Sequence, residues 1–362
     1  MRDYGIGTYV RNLLRHLSRL DAETEYVLFC QEVDCGSVEE LGPNFRAIAE
    51  VAKPYSFSEQ LRIPMDLRRE KIDLFHAPHY VLPPLTPCKS VVTIHDCIHL
   101  RFPQYLPNRL GQAYAWSSMW IATHRASRVL TVSEASKRDI LHYFSIPDRR
   151  IDVIYNAIDD RLGEEPSPED IERVRDRYQL NAPYVLYAGN IKPHKNLERL
   201  IEAFHMLRQD PDLAHVKLLI IGDEVSKYAT LRRAVHRYKL HKYVRFFGFV
   251  PDKTLAVLYR LARVFVFPSL YEGFGFPPLE AMASGAPVIT SNVSSLPEVV
   301  GDAALLIDPL DPVAIADAMR RVLMDSDLRE DLRQRGLRRV KEFSWERSVR
   351  RVREIYDEVL AE

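Results

Sequence analysis

Tyr271-Glu-Gly-Phe-Gly-Phe-Pro-Pro-Leu-Glu-Ala-Met-Ala283 decides how this 362-residue chain is read. Glu272 stands just before a glycine-rich loop, and Glu280 is expected in the first turn of the helix that the loop opens. Pro277 and Pro278 suit the first helical positions, where a missing N–H costs nothing, and Gly285 is a natural stop. The helix itself is predicted over residues 279–284. Upstream, Arg263-Val-Phe-Val-Phe-Pro268 is a short apolar run of β-formers, hence a buried strand, and Pro287-Val-Ile-Thr290 returns as another. The two carboxylates therefore sit at the carboxyl end of a strand, where open α/β sheets bind ligands. Orphan N–H groups at a helix start take phosphates, and carboxylates accept hydrogen bonds from hydroxyls. The arrangement suits a diphosphate flanked by two hydroxyl-rich groups. The plainer reading has Glu280 complementing a helix dipole and Glu272 merely solvated. The Gly-Phe-Gly-Phe-Pro-Pro context outweighs it.

Working outward, strand-like runs alternate with helix-like ones, which implies parallel sheets with helices on both faces. In the first half, strands are expected at 26–29, 45–48, 74–76, 90–94, 129–132 and 151–154. A first helix is predicted from Gly7 to Leu20, and Ser133 caps another. A polar, proline-containing stretch over 159–181 reads as the linker. Beyond it, strands are expected at 184–187, 216–221, 244–247, 264–267, 288–290 and 304–307. The prediction is α/β with two doubly wound domains, residues 1–160 and 161–345, and a ligand cleft between them. A last helix, about 346–362, packs back on the first domain.

Further groups are expected to face that cleft. Tyr184-Val-Leu-Tyr-Ala-Gly-Asn-Ile-Lys-Pro-His-Lys-Asn-Leu197 reads as strand, loop and helix start. Lys195 at a helix N-terminus, with Lys192 nearby, is unhelpful to the helix alone and makes sense if an anion binds there. Gly5-Ile-Gly7 before the first helix offers a second nest of amides. Thr93-Ile-His-Asp-Cys97 ends a strand and projects His95 at the carboxyl edge. Phe247-Gly-Phe-Val-Pro-Asp252 ends another. There Val250 and Asp252 can meet a base edge, or Asp252 can simply cap a helix. His76, His79, His95, Asp96 and His99 share a domain but lack metal-ligand spacing, so no metal is expected. Buried, hydrogen-bonded structural roles fit His76, His79 and His99 better.

Composition narrows the class. Lys plus Arg and Asp plus Glu are 50 each, so net charge is zero, against a nucleic-acid binder. Apolar residues make up 46%, enough for real cores. The four cysteines, Cys30, Cys35, Cys88 and Cys97, form no Cys-x-x-Cys and read as reduced thiols of a cytoplasmic protein. No apolar run reaches the ~18 residues of a membrane span.

Together these residues resemble retaining glycosyltransferases of the GT-B fold, family 4, over nearly the whole chain. The most specific part is Glu272-x7-Glu280 followed by Ala281-Met-Ala-Ser-Gly-Ala-Pro-Val-Ile289. Tyr187-Ala-Gly-Asn-Ile-Lys-Pro-His-Lys-Asn196 and Thr131-Val-Ser-Glu-Ala-Ser-Lys137 are further matches. Gly5-Ile-Gly-Thr-Tyr-Val10 and His76-Ala-Pro-His-Tyr-Val-Leu-Pro83 look most like bacterial mannosyltransferases of surface-polysaccharide assembly. The resemblance implies a hexosyl, favoured mannosyl, transfer from a nucleotide sugar, favoured GDP-mannose, to a glycan or lipid-linked acceptor. It implies no metal and no assigned general base, with front-face substitution and retention. Glu272 would bond donor-sugar hydroxyls and Glu280 the ribose. Lys195, with Lys192, Asn190 and amides around Gly273, Phe274, Gly275 and Phe276, would hold the diphosphate. The Gly5–Gly7 loop would approach the phosphate, His95 the sugar, and Val250 and Asp252 the base. Alternatives on the same fold are an epimerase, a phosphorylase or a non-catalytic binding protein.

Two departures from the family pattern matter. Asn190 stands where many members carry arginine, so either Lys192 substitutes or the site has one charge fewer. The family's first strand, normally central in the N-terminal sheet, is not seen before Gly5. Its loss would leave backbone unpaired on two neighbours, and Met1 reads as an internal methionine or the start of a truncated gene. Basic stripes at Arg11, Arg15 and Arg19, and at Arg333, Arg335, Arg338, Arg339 and Lys341, suit contact with an anionic inner membrane face, or plain solvation.

Overall fold

A computed structural model describes residues 4–50, 56–106, 108–158, 163, 165–222 and 228–362. Met1 and part of the predicted linker lie outside the described residues. The chain divides into two compact units, 1–156 with 344–362, and 157–343. The division falls after Asn156, a few residues before the expected boundary, and the closing helix belongs to the first unit.

The first unit holds strands β1 (Tyr26–Cys30), β2 (Phe45–Ala49), β3 (Leu74–Ala77), β4 (Lys89–Ile94), β5 (Arg128–Thr131) and β6 (Ile151–Val153). Its helices are α1 (Tyr4–Leu20), α2 (Glu32–Glu39), α3 (Phe57–Arg69), α4 (Ile98–Arg101), α5 (Arg109–Arg125) and α6 (Glu134–Phe144). All strand pairs are parallel, but they form two separate sheets among the described residues, β1-β2 and β3-β4-β5-β6. β1 and β3 thus each have a single partner. β4 and β5, inside the larger sheet, are buried almost throughout, whereas every residue of β1 is partly exposed.

In the second unit α7 (Pro168–Tyr178) precedes β7 (Tyr184–Ala188), α8 (Leu197–Leu207), β8 (Lys217–Ile221), α9 (Ala229–Arg237) and β9 (Val244–Phe247). Then come α10 (Asp252–Leu261), β10 (Val264–Phe267), α11 (Phe276–Ala283), β11 (Val288–Ser291), α12 (Leu296–Val300) and β12 (Ala304–Ile307). α13 (Pro312–Met324) and α14 (Ser326–Val340) complete it. One parallel sheet runs β12-β11-β10-β7-β8-β9. Its direction of winding reverses between β10 and β7, whose registers pair Val264 with Val185 and Phe265 with Leu186. Tyr-Val-Leu-Tyr-Ala in β7 and Val-Phe-Val-Phe in β10 are wholly buried. Continuous apolar runs of this kind are what a strand covered on both faces requires.

α15 (Trp345–Ala361) returns to the first unit, packing on α1 and β4. Arg353 is ion-paired to Asp21, and Lys89 Nζ donates to the carbonyls of Val359 and Leu360 at 2.9 and 3.1 Å. Beneath it runs a buried relay. The Tyr356 hydroxyl lies 2.5 Å from His76 Nδ1, His76 Nε2 lies 2.8 Å from Thr93 Oγ1, and Thr93 Oγ1 lies 3.1 Å from the Tyr9 hydroxyl. Burial pushes the His76 imidazole down to about 3, so it is neutral and structural.

Candidate active site

The two loops that leave β7 and β10 meet above the reversal point. The β7 loop rises through Gly189 and a single 3-10 turn, Pro193–Lys195, before α8. The β10 loop runs from Pro268 to Gly275. Backbone and side-chain bonds tie one to the other. Leu270 N–H donates to the His194 carbonyl at 2.7 Å, and Asn196 Nδ2 donates to Pro268 O at 3.0 Å and Pro309 O at 2.6 Å. Asn196 takes a left-handed conformation (φ 60°) to do so.

This lacing delivers Lys195 Nζ to within 2.6 Å of Glu272 Oε1, both side chains nearly buried at 9% and 12% exposure. Lys195 also lies 5.2 Å from the centre of the Phe267 ring. The charge at the α8 start is therefore balanced by Glu272 in the structure itself. A bound anion is not required to explain it.

The Glu272 loop is held from the turn between β11 and α12. Ser294, itself left-handed at φ 60°, accepts from Glu272 N–H at 3.1 Å and donates to the Glu272 carbonyl at 2.5 Å. The fully buried Ser295 hydroxyl is 3.0 Å from Glu272 O and 2.8 Å from Phe274 O. Sequence reasoning missed both serines. The only signal was their place after β11, before the Leu-Pro-Glu helix start.

α11 begins at Phe276, three residues earlier than expected, with Pro277 and Pro278 in its first positions. Its first turn holds no acidic residue, so Glu280, expected there, sits beyond the first turn and the dipole explanation falls. Gly275 precedes the helix at φ 109°, and a Cβ there would stand 2.8 Å from Leu296 Cδ2. Glycine is what lets the chain turn so that the amides of Gly275 and Phe276 open the helix.

Glu280 instead pairs with a residue the sequence did not single out. The Tyr259 hydroxyl on α10 donates to Glu280 Oε2 at 3.1 Å. Burial pushes the Glu280 carboxyl up to about 7, the tyrosine bond opposes this, and the negative charge of Asp252 adds to it. The Tyr259 hydroxyl is raised well above its ordinary value, first by burial and then by Glu280. Asp252 is the first helical residue of α10, not its cap. It is exposed and makes no capping bond, while Val250 is buried in the core.

The remaining expectations divide. Lys192 is exposed, and Asn190 Oδ1 is buried without a hydrogen-bond partner, although the Asn190 carbonyl accepts from Tyr187 at 3.1 Å. Gly222, which the sequence reading passed over, fixes this loop: a Cβ on it would lie 2.2 Å from the Gly189 carbonyl oxygen. A cavity of about 550 Å³ lies on the α8 side, lined in part by Lys192, Asn196, Arg199 and Leu270, and reaches neither Glu272 nor Glu280. Gly5 and Gly7 are not in a loop. They lie in the first turn of α1, so the proposed nest is a helix start. His95 follows β4; its Nε2 is 2.9 Å from the Pro78 carbonyl, and the Tyr9 ring meets it edge-on at 4.9 Å. Burial lowers its pKa. Among the described residues no group of three His, Cys, Asp or Glu side chains is placed to hold a metal ion.

A two-unit frame of parallel α/β sheets, with a cation, two carboxylates and a helix start gathered at the strand ends of one of them, is the class of protein to which the comparisons then point. The glycosyltransferase family 4 model matches residues 4–162, and the model described as glycosyl transferases group 1 matches 169–339. O-antigen chain mannosyltransferase B of Escherichia coli is 38% identical over 282 residues, 77% of this chain and 73% of that protein. The serotype-specific mannosyltransferase WbdA of E. coli is 31% identical over 271 residues, 72% of this chain, which spans only 32% of that longer protein. Sucrose-phosphate synthase from Thermosynechococcus elongatus superposes with a TM-score of 0.78 at 25% identity, covering 99% of this chain and 94% of that one. The chain belongs to the family 4, group 1 glycosyltransferases and has their GT-B fold.

Proposed function

We propose that this glycosyltransferase moves a mannosyl residue from GDP-mannose, with retention and without a metal, to a growing glycan or lipid-linked acceptor in cell-surface polysaccharide assembly. The observation that carries it is the Lys195–Glu272 pair, held by the loops that leave β7 and β10, the second of which leads into α11. A diphosphate takes the lysine and the amides, the released Glu272 takes sugar hydroxyls, and Glu280 takes the ribose. Lysine and helix amides then stabilise the departing nucleotide diphosphate. The roles that the family resemblance gives to Gly5, Gly7, His95, Asn190, Lys192, Val250 and Asp252 belong to the same proposal. The choice of mannose draws on the E. coli relatives, named as mannosyltransferases. A lipid-linked acceptor places the enzyme against the inner face of an anionic membrane; no described helix is long and apolar enough to cross one.

A thermal-shift panel of GDP-mannose, UDP-glucose and dTDP-sugars, followed by transfer to an acceptor with the anomeric configuration read by NMR, tests this. Stabilisation by GDP-mannose and an α-mannoside product are expected. Selective stabilisation by a uridine sugar, or an inverted product, would overturn the donor or the stereochemistry.

A further inference from the structure

The outer face of α5 is unlike the rest of the surface. Arg109, Ala113, Trp116, Trp120 and His124 recur at helical spacing and are all exposed. Trp116 is 50% and Trp120 42% exposed, and Leu110 stands 80% exposed at the same end as Arg109. These are two of the three tryptophans of the chain; the third, Trp345, is buried. Trp120 is braced outward: His124 stacks on it at 4.4 Å. From Cys97 to Ser133 the sequence contains no aspartate or glutamate. Arg101, Arg109 and Arg125, exposed along this stretch, form no ion pair among the described residues. Carboxylates reach this region from other elements: Glu59 of α3 acts on Tyr114, and Asp139 of α6 acts on Cys97 and on Tyr143, to which Arg101 is hydrogen-bonded.

The other basic clusters behave differently. On α14, Arg333, Arg335 and Arg339 are ion-paired to Glu330, Asp331 and Glu342. The expected stripe there is largely consumed within the fold. The Arg11, Arg15 and Arg19 stripe of α1 is exposed, but no tryptophan lies in that helix.

We propose that α5 is an interfacial anchor: Trp116 and Trp120 enter the headgroup layer of an anionic phospholipid bilayer while Arg109, two turns before Trp116 on the same face, meets lipid phosphates. Exposed tryptophan beside unpaired arginine is the composition that an anionic membrane interface selects. A helix of 17 residues lies about 25 Å along such a surface. Charge disfavours a two-fold pairing of this face with that of a second copy of the chain. A two-fold contact would set this acid-free arginine face against itself. A neutral glycan would leave the arginines without counter-charge. The proposal rests on the reading of the enzyme as one that works at a membrane, and it names the surface by which it does so.

The test uses the full chain. Co-sedimentation and tryptophan emission are measured with vesicles of phosphatidylcholine alone and with phosphatidylglycerol added. Binding to the anionic vesicles, with a blue shift that 0.5 M salt weakens, is expected. Trp116→Ala with Trp120→Ala is expected to lower vesicle affinity roughly a hundredfold. Arg109→Glu is expected to lower it more than about fivefold. All variants are expected to keep wild-type turnover on a soluble acceptor, so that a failure of the donor reading is seen separately. Wild-type failure to bind anionic vesicles would overturn the anchor. So would unchanged binding by both α5 variants, loss of binding only after Arg11, Arg15 and Arg19 become Glu, or concentration-dependent dimerisation that the tryptophan variants abolish.

Discussion

The two units solve the burial of polar groups differently. In the second, one continuous six-stranded sheet brings two loops together, and their lacing ends in a charged pair and a poised carboxyl. In the first, two sheets share a unit, and the buried polar groups form a neutral relay, Tyr356, His76, Thr93 and Tyr9, that locks α15 onto the sheet. The same cause acts with opposite consequence. Burial drives His76 to about 3 and so silences it near neutrality, whereas it lifts Glu280 to about 7 and leaves it titrating there. The second unit holds charge ready for a ligand; the first ties α15 down with this uncharged relay and with ion pairs such as Arg353–Asp21.

The sharpest way to break that contrast is Lys195→Ala. It removes the cation that would face the leaving phosphate and strands Glu272 nearly buried. Transfer is expected to fall about 10²–10³-fold, and stability by about 3–5 kcal/mol. Chemical denaturation should show the Lys195→Ala, Glu272→Ala double variant recovering part of that loss. Strict additivity would mean the two side chains do not act as a pair.

In the first unit, Tyr356→Phe leaves His76 Nδ1 buried without its partner and is expected to cost about 1–3 kcal/mol. Donor affinity by calorimetry should be unchanged. A weakened donor affinity would show that the relay is functional after all.

Smaller again is a pH effect. The Glu280 carboxyl is raised to about 7 from an ordinary 4.5, so the folded chain holds its proton longer than the unfolded one. Its contribution to stability therefore falls as pH rises from about 4.5 through about 7. Ribose hydroxyls donate to the ionised form, so donor binding should tighten as pH rises. About a tenfold gain per unit below 7 and a plateau above it are expected. Titration calorimetry at pH 5.5 to 8 checks this. A slope retained in Glu280→Gln would assign it elsewhere.

Smallest is Ser294→Gly. Glycine relieves a left-handed serine but loses its two bonds to Glu272. Stability is expected within about 1 kcal/mol of the parent, while turnover drops about three- to tenfold with KM little changed. Unchanged turnover would reduce the serine to a structural detail.

The strands were the most legible part of the molecule. All twelve lie within a residue or two of the apolar runs that announce them. Parallel strands covered on both faces need continuous apolar sequence, so the signal is strong. Helices with a cap or an apolar stripe, such as α13 behind Asp311 and Pro312, were equally clear. α5 was missed because its apolar residues lie on every side, Trp116 and Trp120 outward as well as Met119 and Ala122 inward. The helix start at Gly5–Gly7 was read as a loop because glycine usually precedes a helix rather than opening one.

By itself, the sequence determined the α/β class, the order of elements, the family, and the residue types that a phosphorylated sugar needs. It could do so because periodicity, proline and glycine act over a few residues of chain. Only the tertiary structure decided who faces whom. Lys195 meets Glu272 across 77 positions, Tyr259 meets Glu280, and Ser294 and Ser295 hold the loop from a later turn. Such pairings, and the burial that leaves one carboxyl poised, depend on which strands become neighbours, and no local run of residues encodes that.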